Sequence, residues 1–228
     1  MLAVLYDVHG NLEALEAVLA DAGQAGAQRY LLGGDYALFG PWPAETVARL
    51  HDLDATWIRG NGERWTARPG DAPENEVVQG AIEASRAELG GGLIDELVAL
   101  PEQYAAGDAR YCHASPVSDV RSFFPEPAED EAELLGGVFE DRLVFGHTHL
   151  QFRRRSEAGG TELVNPGSVG MPFDGDPRAG YALVADDGEI ELRRVAYDHE
   201  RSAEAVRDRF PGFGETVARR IERASLEV

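Results

Sequence analysis

The sequence predicts an α/β protein in which a strand–helix half feeds an antiparallel half, two sheets packed together with helices outside. Two observations carry this reading. Short apolar runs alternate with amphipathic stretches as far as Gly146, and hairpin-turn chemistry replaces that alternation after His149. A third, the absence of any apolar run near the roughly 18 residues of a membrane helix, removes a membrane-spanning alternative.

The elements follow in order. Leu2 to Tyr6 reads as the first strand, followed by Asp7-Val8-His9-Gly10-Asn11. In the next helix Leu12, Leu15, Leu19 and Ala22 recur at helical spacing, and Gly23 and Gly26 supply the stop. Tyr30 to Leu32 makes a second strand ending in Gly33-Gly34-Asp35, and Gly40-Pro41-Trp42-Pro43 leads into a helix with Val47 and Leu50 on one face. Thr56 to Ile58 is the third strand, ending in Arg59-Gly60-Asn61. A loop then leads to a helical stretch from about Glu74 to Leu100, interrupted by Gly90-Gly91-Gly92. Ala109 to Cys112 is the fourth strand, ending at His113; a helix near Glu131 to Val138 precedes the fifth, Arg142 to Phe145, which ends at Gly146-His147. Two hairpins come next: Phe152 to Arg155 with Glu162 to Val164, and Tyr181 to Val184 with Ile190 to Val195, turning at Ala158-Gly159-Gly160 and Asp186-Asp187-Gly188. Helical sequence from His199 to Glu227, broken at Pro211-Gly212, closes the chain. With no repeat, low-complexity tract or linker in view, residues 1–228 read as one domain.

Composition narrows the function. The chain has 41 acidic and 21 basic side chains, a formal charge of −20, and its cations are all arginine. Such a field repels phosphate backbones, so general nucleic-acid binding is excluded. A lone cysteine, Cys112, excludes an internal disulfide framework. The N-terminal Met1 to Tyr6 has no basic region and reaches Asp7 too soon for a secretion signal, so a soluble, cytoplasmic protein is expected.

The polar residues cluster where strands end: Asp7 and His9, Asp35, Asn61, His113, and His147 with His149. In open α/β sheets the ligand site lies beyond the carboxyl ends of the strands, so residues distant in sequence can share it. Asp-x-His places two side chains on one side of an extended segment, and Gly146-His147-Thr148-His149 repeats the arrangement. Imidazole, carboxylate and amide oxygen form a mixed N/O set suited to manganese, iron, cobalt, nickel or zinc. Seven candidate ligands suit two ions, with Asp35 the natural bridge. Two ions roughly 4 Å apart acidify a shared water and clamp the oxygens of an in-line phosphoryl displacement.

Read together, Asp7-x-His9, Gly34-Asp35, Gly60-Asn61-Gly62-Glu63, His113 and Gly146-His147-x-His149 resemble the calcineurin-like metallophosphoesterase superfamily. Gly40-Pro41-x-Pro43 after Gly34-Asp35, and Asn165-Pro166-Gly167-Ser168-Val169 after the last histidines, resemble its small prokaryotic phosphodiesterase branch. The resemblance implies an αββα sandwich of two mixed sheets flanked by helices. It implies two divalent ions, manganese first among them: one on Asp7, His9 and His149, the other on Asn61, His113 and His147, with Asp35 bridging. Asp35, Asn61 and His113 are the catalytic residues it implies, acting through a metal-bridging hydroxide, and Asn11 is placed facing the substrate phosphate.

The resemblance also has a departure. Many members carry, after the asparagine, a histidine that protonates the leaving group; Gly62 stands there, with Glu63 retained. Losing a positioned acid costs on the order of 10²–10⁴ in rate for a poor leaving group. Substrates with good leaving groups are therefore expected, aryl phosphate esters that release a phenolate and nucleotide anhydrides of the dinucleoside polyphosphate type. Arg59, Arg64 and Arg68 bracket the third cluster, and Arg64 is the candidate for a second substrate phosphate. A protein phosphatase is disfavoured because Gly34-Asp35 continues as Tyr36-Ala37-Leu38-Phe39-Gly40, without the Tyr-Val-Asp-Arg-Gly run of those enzymes. A binding scaffold on the same fold, the use made of it by a retromer subunit, is disfavoured because none of the seven ligand positions is eroded. The expected partner is a small phosphorylated molecule, a nucleotide among the candidates. The amphipathic run Val206, Phe210, Phe213, Val217 and Ile221 covers a sheet or serves as the arm of a homo-oligomer.

Overall fold

A computed structural model describes residues 1–228. Its strands in chain order are β1 (Leu2–Leu5), β2 (Arg29–Leu32), β3 (Ala55–Trp57), β4 (Gln103–Ala106), β5 (Ala109–Cys112), β6 (Arg142–Val144), β7 (Phe152–Arg155), β8 (Glu162–Asn165), β9 (Ala179–Val184) and β10 (Ile190–Val195). The helices are α1 (Leu12–Gln24), α2 (Pro43–His51), α3 (Asn61–Ala67), α4 (Glu76–Val98), α5 (Glu131–Leu134), α6 (His199–Arg209) and α7 (Gly214–Arg223). The strands form two sheets, ordered β10-β9-β1-β2-β3 and β4-β5-β6-β8-β7. Each is mixed: β1, β2 and β3 run parallel and β9 and β10 antiparallel, while β5, β6 and β8 run parallel between antiparallel edges.

Alternation along β1 builds the layers. Ala3 and Leu5 pack outward against Leu15, Val18, Val47 and Leu50 of the helices. Val4 and the following Tyr6 pack inward with Tyr111, Val144 and Val164 of the second sheet. The Tyr6 hydroxyl also donates to the Val144 carbonyl at 3.0 Å, a polar tie between the sheets. Beyond the second sheet, Phe123, Leu134 and Leu135 cover Leu143, Phe145 and Leu163. The expected αββα sandwich is therefore what the chain forms. None of its helices is long and apolar enough to cross a membrane.

Three local expectations change. The residues after Asn61 form α3 rather than a loop, and an unexpected edge strand, β4, pairs with β5. Helix α5 stops at Leu134 instead of Val138, where Gly136 and a left-handed Gly137 (φ +81°) follow. The expected glycine interruption is present, as a kink in α4 at Gly90 (φ 69°) after which the helix resumes.

Candidate metal centre

The parallel strands hand their polar residues to one end of the sandwich. Past β1 and β2 the two chains stay zipped: Asp7 N donates to Gly34 O, His9 N to Asp35 O and Gly10 N to Tyr36 O, at 3.2, 2.9 and 2.8 Å. Asp7, His9 and Asp35 are thereby carried side by side above the sheet. The Asn165–Val169 segment clamps the remaining pieces. Its Asn165 amide donates to Gly146 O and Thr148 Oγ1, and the Ser168 hydroxyl donates to Asp7 O at 2.7 Å.

This convergence bends the backbone hard. Asp7, His9, Asp35, His147 and His149 all have positive φ, between 50° and 68°. Only two other non-glycine residues, Phe39 and Ala224, share that region. Such strain persists where surrounding structure over-determines it, and here five of the seven expected ligands carry it. Gly34 (φ +96°) permits the turn before Asp35, and a Cβ there would lie 2.5 Å from Gly60 N.

The side chains converge in two groups whose ligand atoms lie within 4.8 Å of one another: Asp7, His9 and His149, and Asp7, Asp35 and His113. Asp7 belongs to both. Its Oδ2 accepts from His147 N at 2.9 Å. Its Oδ1 is buried without a hydrogen-bond partner, 3.6 Å from His149 Nε2 and 3.9 Å from His113 Nε2. Asp35 straddles the pair, with Oδ1 3.5 Å from His113 Nε2 and Oδ2 3.9 Å from His9 Nε2.

The histidines are held from behind. His9, His113 and His149 each direct Nδ1 at a backbone carbonyl, of Leu38, Gly33 and Met171, at 3.0, 2.9 and 2.6 Å. Nδ1 then carries the proton and Nε2 presents its lone pair inward. His9 Nε2 and His149 Nε2 meet at 3.0 Å, and His113 Nε2 meets Asn61 Oδ1 at 3.0 Å. Lone pairs facing at such distances suit a shared cation bound at about 2.0–2.1 Å from each nitrogen.

The electrostatics point the same way. Burial pushes the Asp7 carboxyl up to about 8, against the pull of His113. Burial, then the charge of Glu63, raises Asp35 well above the carboxylate range. Burial takes His9 and His147 down to about 3 and holds His149 well below its ordinary value, with His9 beside it adding to the effect. The protein environment disfavours both charged carboxylates and charged imidazoles here. Divalent cations reverse that preference for the carboxylates and need the imidazoles neutral, so the donor set fits them.

Residues 1–188 match the calcineurin-like phosphoesterase superfamily domain. The chain belongs to that superfamily. Protein MJ0912 of Methanocaldococcus jannaschii is 29% identical over 92% of this chain and 94% of its own. Phosphodiesterase YfcE of Escherichia coli K12 is 28% identical over 79% and 85%. A crystal structure of a metallophosphoesterase from Sphaerobacter thermophilus superposes with a TM-score of 0.83 at 28% identity, covering 98% of both chains. This protein is a metal-dependent phosphoesterase of the small prokaryotic branch.

Not every expected residue of this phosphoesterase meets in the pocket. His147 is partly exposed and stands to the side of both tight groups; its ring centroid is 5.3 Å from that of His113. The side-chain position of Asn61 that faces His113 is also 2.8 Å from His147 Nδ1, so Asn61 lies between His113 and His147. Arg64 lies at the mouth, its guanidinium spread over both oxygens of Asp119 at 2.6 and 2.8 Å.

Asn11 corrects an expectation. Its side chain is 1% exposed and fully engaged within the protein. It accepts from Ala14 N as the cap of α1 and from Ser202 Oγ of α6, and donates to Gly170 O and Tyr197 Oη. No polar atom is left to face a phosphate. Tyr36, next to Asp35, is core, its hydroxyl donating to Leu32 O, and Trp65 packs against the Leu38–Ile82 cluster.

Sequence reading missed the role of Glu63. Its buried carboxylate accepts from Asp35 N at 2.9 Å, Tyr36 N at 2.8 Å and Gly60 N at 2.8 Å. One side chain thus ties the loop bearing Asp35 to the turn bearing Asn61. The available signal was an acid retained after Gly-Asn although the histidine it accompanies elsewhere is missing. Gly62 itself abuts Asp35: its N–H donates to Oδ1 at 2.6 Å, and a Cβ would lie 2.7 Å from that oxygen.

Proposed function

We propose that residues 1–228 form one catalytic unit, a dinuclear phosphodiesterase or nucleotide-anhydride hydrolase. The observation that carries this reading is the sharing within the site: Asp7 is common to both ligand groups, and the two oxygens of Asp35 reach one histidine in each. Asp7, His9 and His149 hold the first ion, and Asn61, His113 and His147 the second, with Asp35 between them. Manganese is the proposed native metal, iron, cobalt, nickel and zinc being served by the same donors. When bound, two such ions lower the pKa of water and neutralise charge on the transferring phosphoryl group.

The chain's own residues set the rest. The carbonyls behind His9, His113 and His149 fix the tautomer that ligation requires. Glu63 holds the two loops at a constant separation. Gly62 offers no proton to the departing group, so the substrates favoured are those whose leaving group departs as a stable anion, an aryl oxide or a phosphate. The binding-scaffold alternative finds no support in a site that retains all seven ligand positions.

Purification without chelator, metal analysis and a substrate panel test this. The panel compares bis-aryl diesters, aryl monoesters, cyclic nucleotides and dinucleoside polyphosphates. Two ions per chain and turnover of diesters or dinucleoside polyphosphates are expected. Near-zero metal, with no turnover after manganese is added, would replace the enzyme by the scaffold. Alkyl monoesters turned over as fast as aryl or anhydride substrates would defeat the leaving-group argument.

A further inference from the structure

A cavity of about 310 Å³ opens beside the centre and shares His113 with it. That size is at the low end of the ~300–1,000 Å³ of small-molecule sites. Arg59 and Arg64 line it on one side, Glu102 and Gln103 at the head of β4 on another, and the loop Ser115–Asp119 closes it. A substituent on a phosphorus held at the metal ligands has this cavity next to it.

The charges of the lining are already matched. Arg64 sets Nε and Nη2 on the two oxygens of Asp119 at 2.6 and 2.8 Å, with Asp71 3.4 Å from Nη1. Arg59 pairs with Glu102 and places Nη1 3.3 Å from Val98 O. A further phosphate would have to break a bidentate pair that is about four-fifths buried, and would meet Asp119 and Glu102. The arginines that look like phosphate ligands in the sequence are neutralised in the fold.

The rest of the lining suits an uncharged guest. Ser115 Oγ donates only to Ser118 O, and Ser118 Oγ accepts from Val120 N and Arg121 N; one keeps its lone pairs and the other its hydrogen for a ligand. Val117 of the same lining is 51% exposed and, beside Pro116, offers an apolar surface against which a ring can lie.

We propose that this cavity receives one ester arm of a phosphodiester and selects an uncharged, hydroxyl-bearing arm with a ring, of the nucleoside type, over an arm carrying further phosphate. The inference rests on the phosphodiesterase reading and narrows it away from polyphosphates.

Three esters that all release p-nitrophenolate, a leaving group needing no proton, test it on the manganese-loaded enzyme. They are methyl p-nitrophenyl phosphate, thymidine 5′-(p-nitrophenyl phosphate), and p-nitrophenyl (phosphonomethyl)phosphonate, whose bridging carbon cannot be cleaved in place of the aryl ester. The thymidine arm is expected to raise kcat/KM about tenfold over methyl, the worth of one or two neutral hydrogen bonds, mainly through KM. The phosphonomethyl arm is expected to fall below methyl. Val117→Trp, at a half-exposed position that accommodates bulk, should collapse the thymidine-to-methyl ratio toward one. Glu102→Gln should release Arg59 and raise the phosphonomethyl-to-methyl ratio severalfold. A wild-type preference for the phosphonomethyl arm, or a thymidine-to-methyl ratio near one, overturns the proposal while leaving the phosphodiesterase reading in place. No release of p-nitrophenolate from any ester removes that reading, and the cavity's role with it.

Discussion

The two halves of the centre are built to different degrees of closure. Asp7, His9 and His149 are all buried, and both histidines are pinned by carbonyls. Phe173 stacks on His149 with ring centroids 4.3 Å apart, and Phe39 meets His9 edge-on. The other half opens only at one ligand position, since Asn61 and His113 are buried as well and His113 is pinned by the Gly33 carbonyl. His147 is partly exposed, Asn61 stands at the start of a short helix, and the cavity begins at His113. In the proposed dinuclear centre the more closed half would preorganise a strongly held ion, and the ligand position at His147 would leave room for a substrate. The shared carboxylates Asp7 and Asp35 join the two.

The largest test of that division removes the join. Asp35→Asn is expected to lose both ions and to lower diester turnover by more than the roughly 10–100-fold that loss of a supporting partner costs. Metal content per chain and kcat are the measurements. Two ions retained would mean that Asp7 alone unites the halves.

Next in size is Glu63→Gln. Three buried N–H groups converge on this carboxylate, and an amide cannot accept all three with the same geometry. Affinity for metal should fall about 10–100-fold in both halves together, with about 1–3 kcal/mol of stability lost. A metal titration showing only one half weakened would assign Glu63 to that half alone.

A smaller effect separates the halves themselves. His9→Gln should leave one ion per chain at any manageable metal concentration. His147→Gln should regain both ions at saturating manganese, with KM for a diaryl phosphate raised about tenfold, because an exposed ligand position can be taken by water or substrate. Equal losses in the two variants would break the closed–open distinction.

The seven candidate ligands stood out in the sequence because Asp, His and Asn fall at successive strand ends, and five of them, Asp7, His9, Asp35, His113 and His149, converge in the structure. The layered α/β architecture was legible because apolar runs alternate with amphipathic stretches as far as Gly146 and hairpin turns follow, while the two buried faces of β1 became visible only in the packing of Ala3 and Leu5 against helices and of Val4 against the second sheet. What escaped depends on partners distant in sequence. Helix α3 is only 7 residues long, begins at a ligand and is secured by Glu63, so it lacks a periodic signature. Strand β4 lies on an edge and is mostly exposed, with no hydrophobic alternation to announce it. The neutralisation of Arg64 needs Asp119, 55 residues away. Positive φ at five ligands comes from loop convergence, which no local propensity encodes.

Asn11 shows most plainly how a motif position and a contact differ. Its place after Asp-x-His-Gly suggested a phosphate, yet its amide joins the start of α1 to α6 and to Tyr197. Asn11→Ala removes a helix cap and strands the Ser202 hydroxyl, a combined cost of about 1–3 kcal/mol. At roughly 2–4 °C per kcal/mol for a chain of this size, Tm should drop by several degrees. The diesterase KM should stay within about twofold, since no contact of Asn11 reaches the open half of the centre. A tenfold rise in KM with Tm unchanged would return Asn11 to the substrate and show that α6 moves aside when phosphate binds.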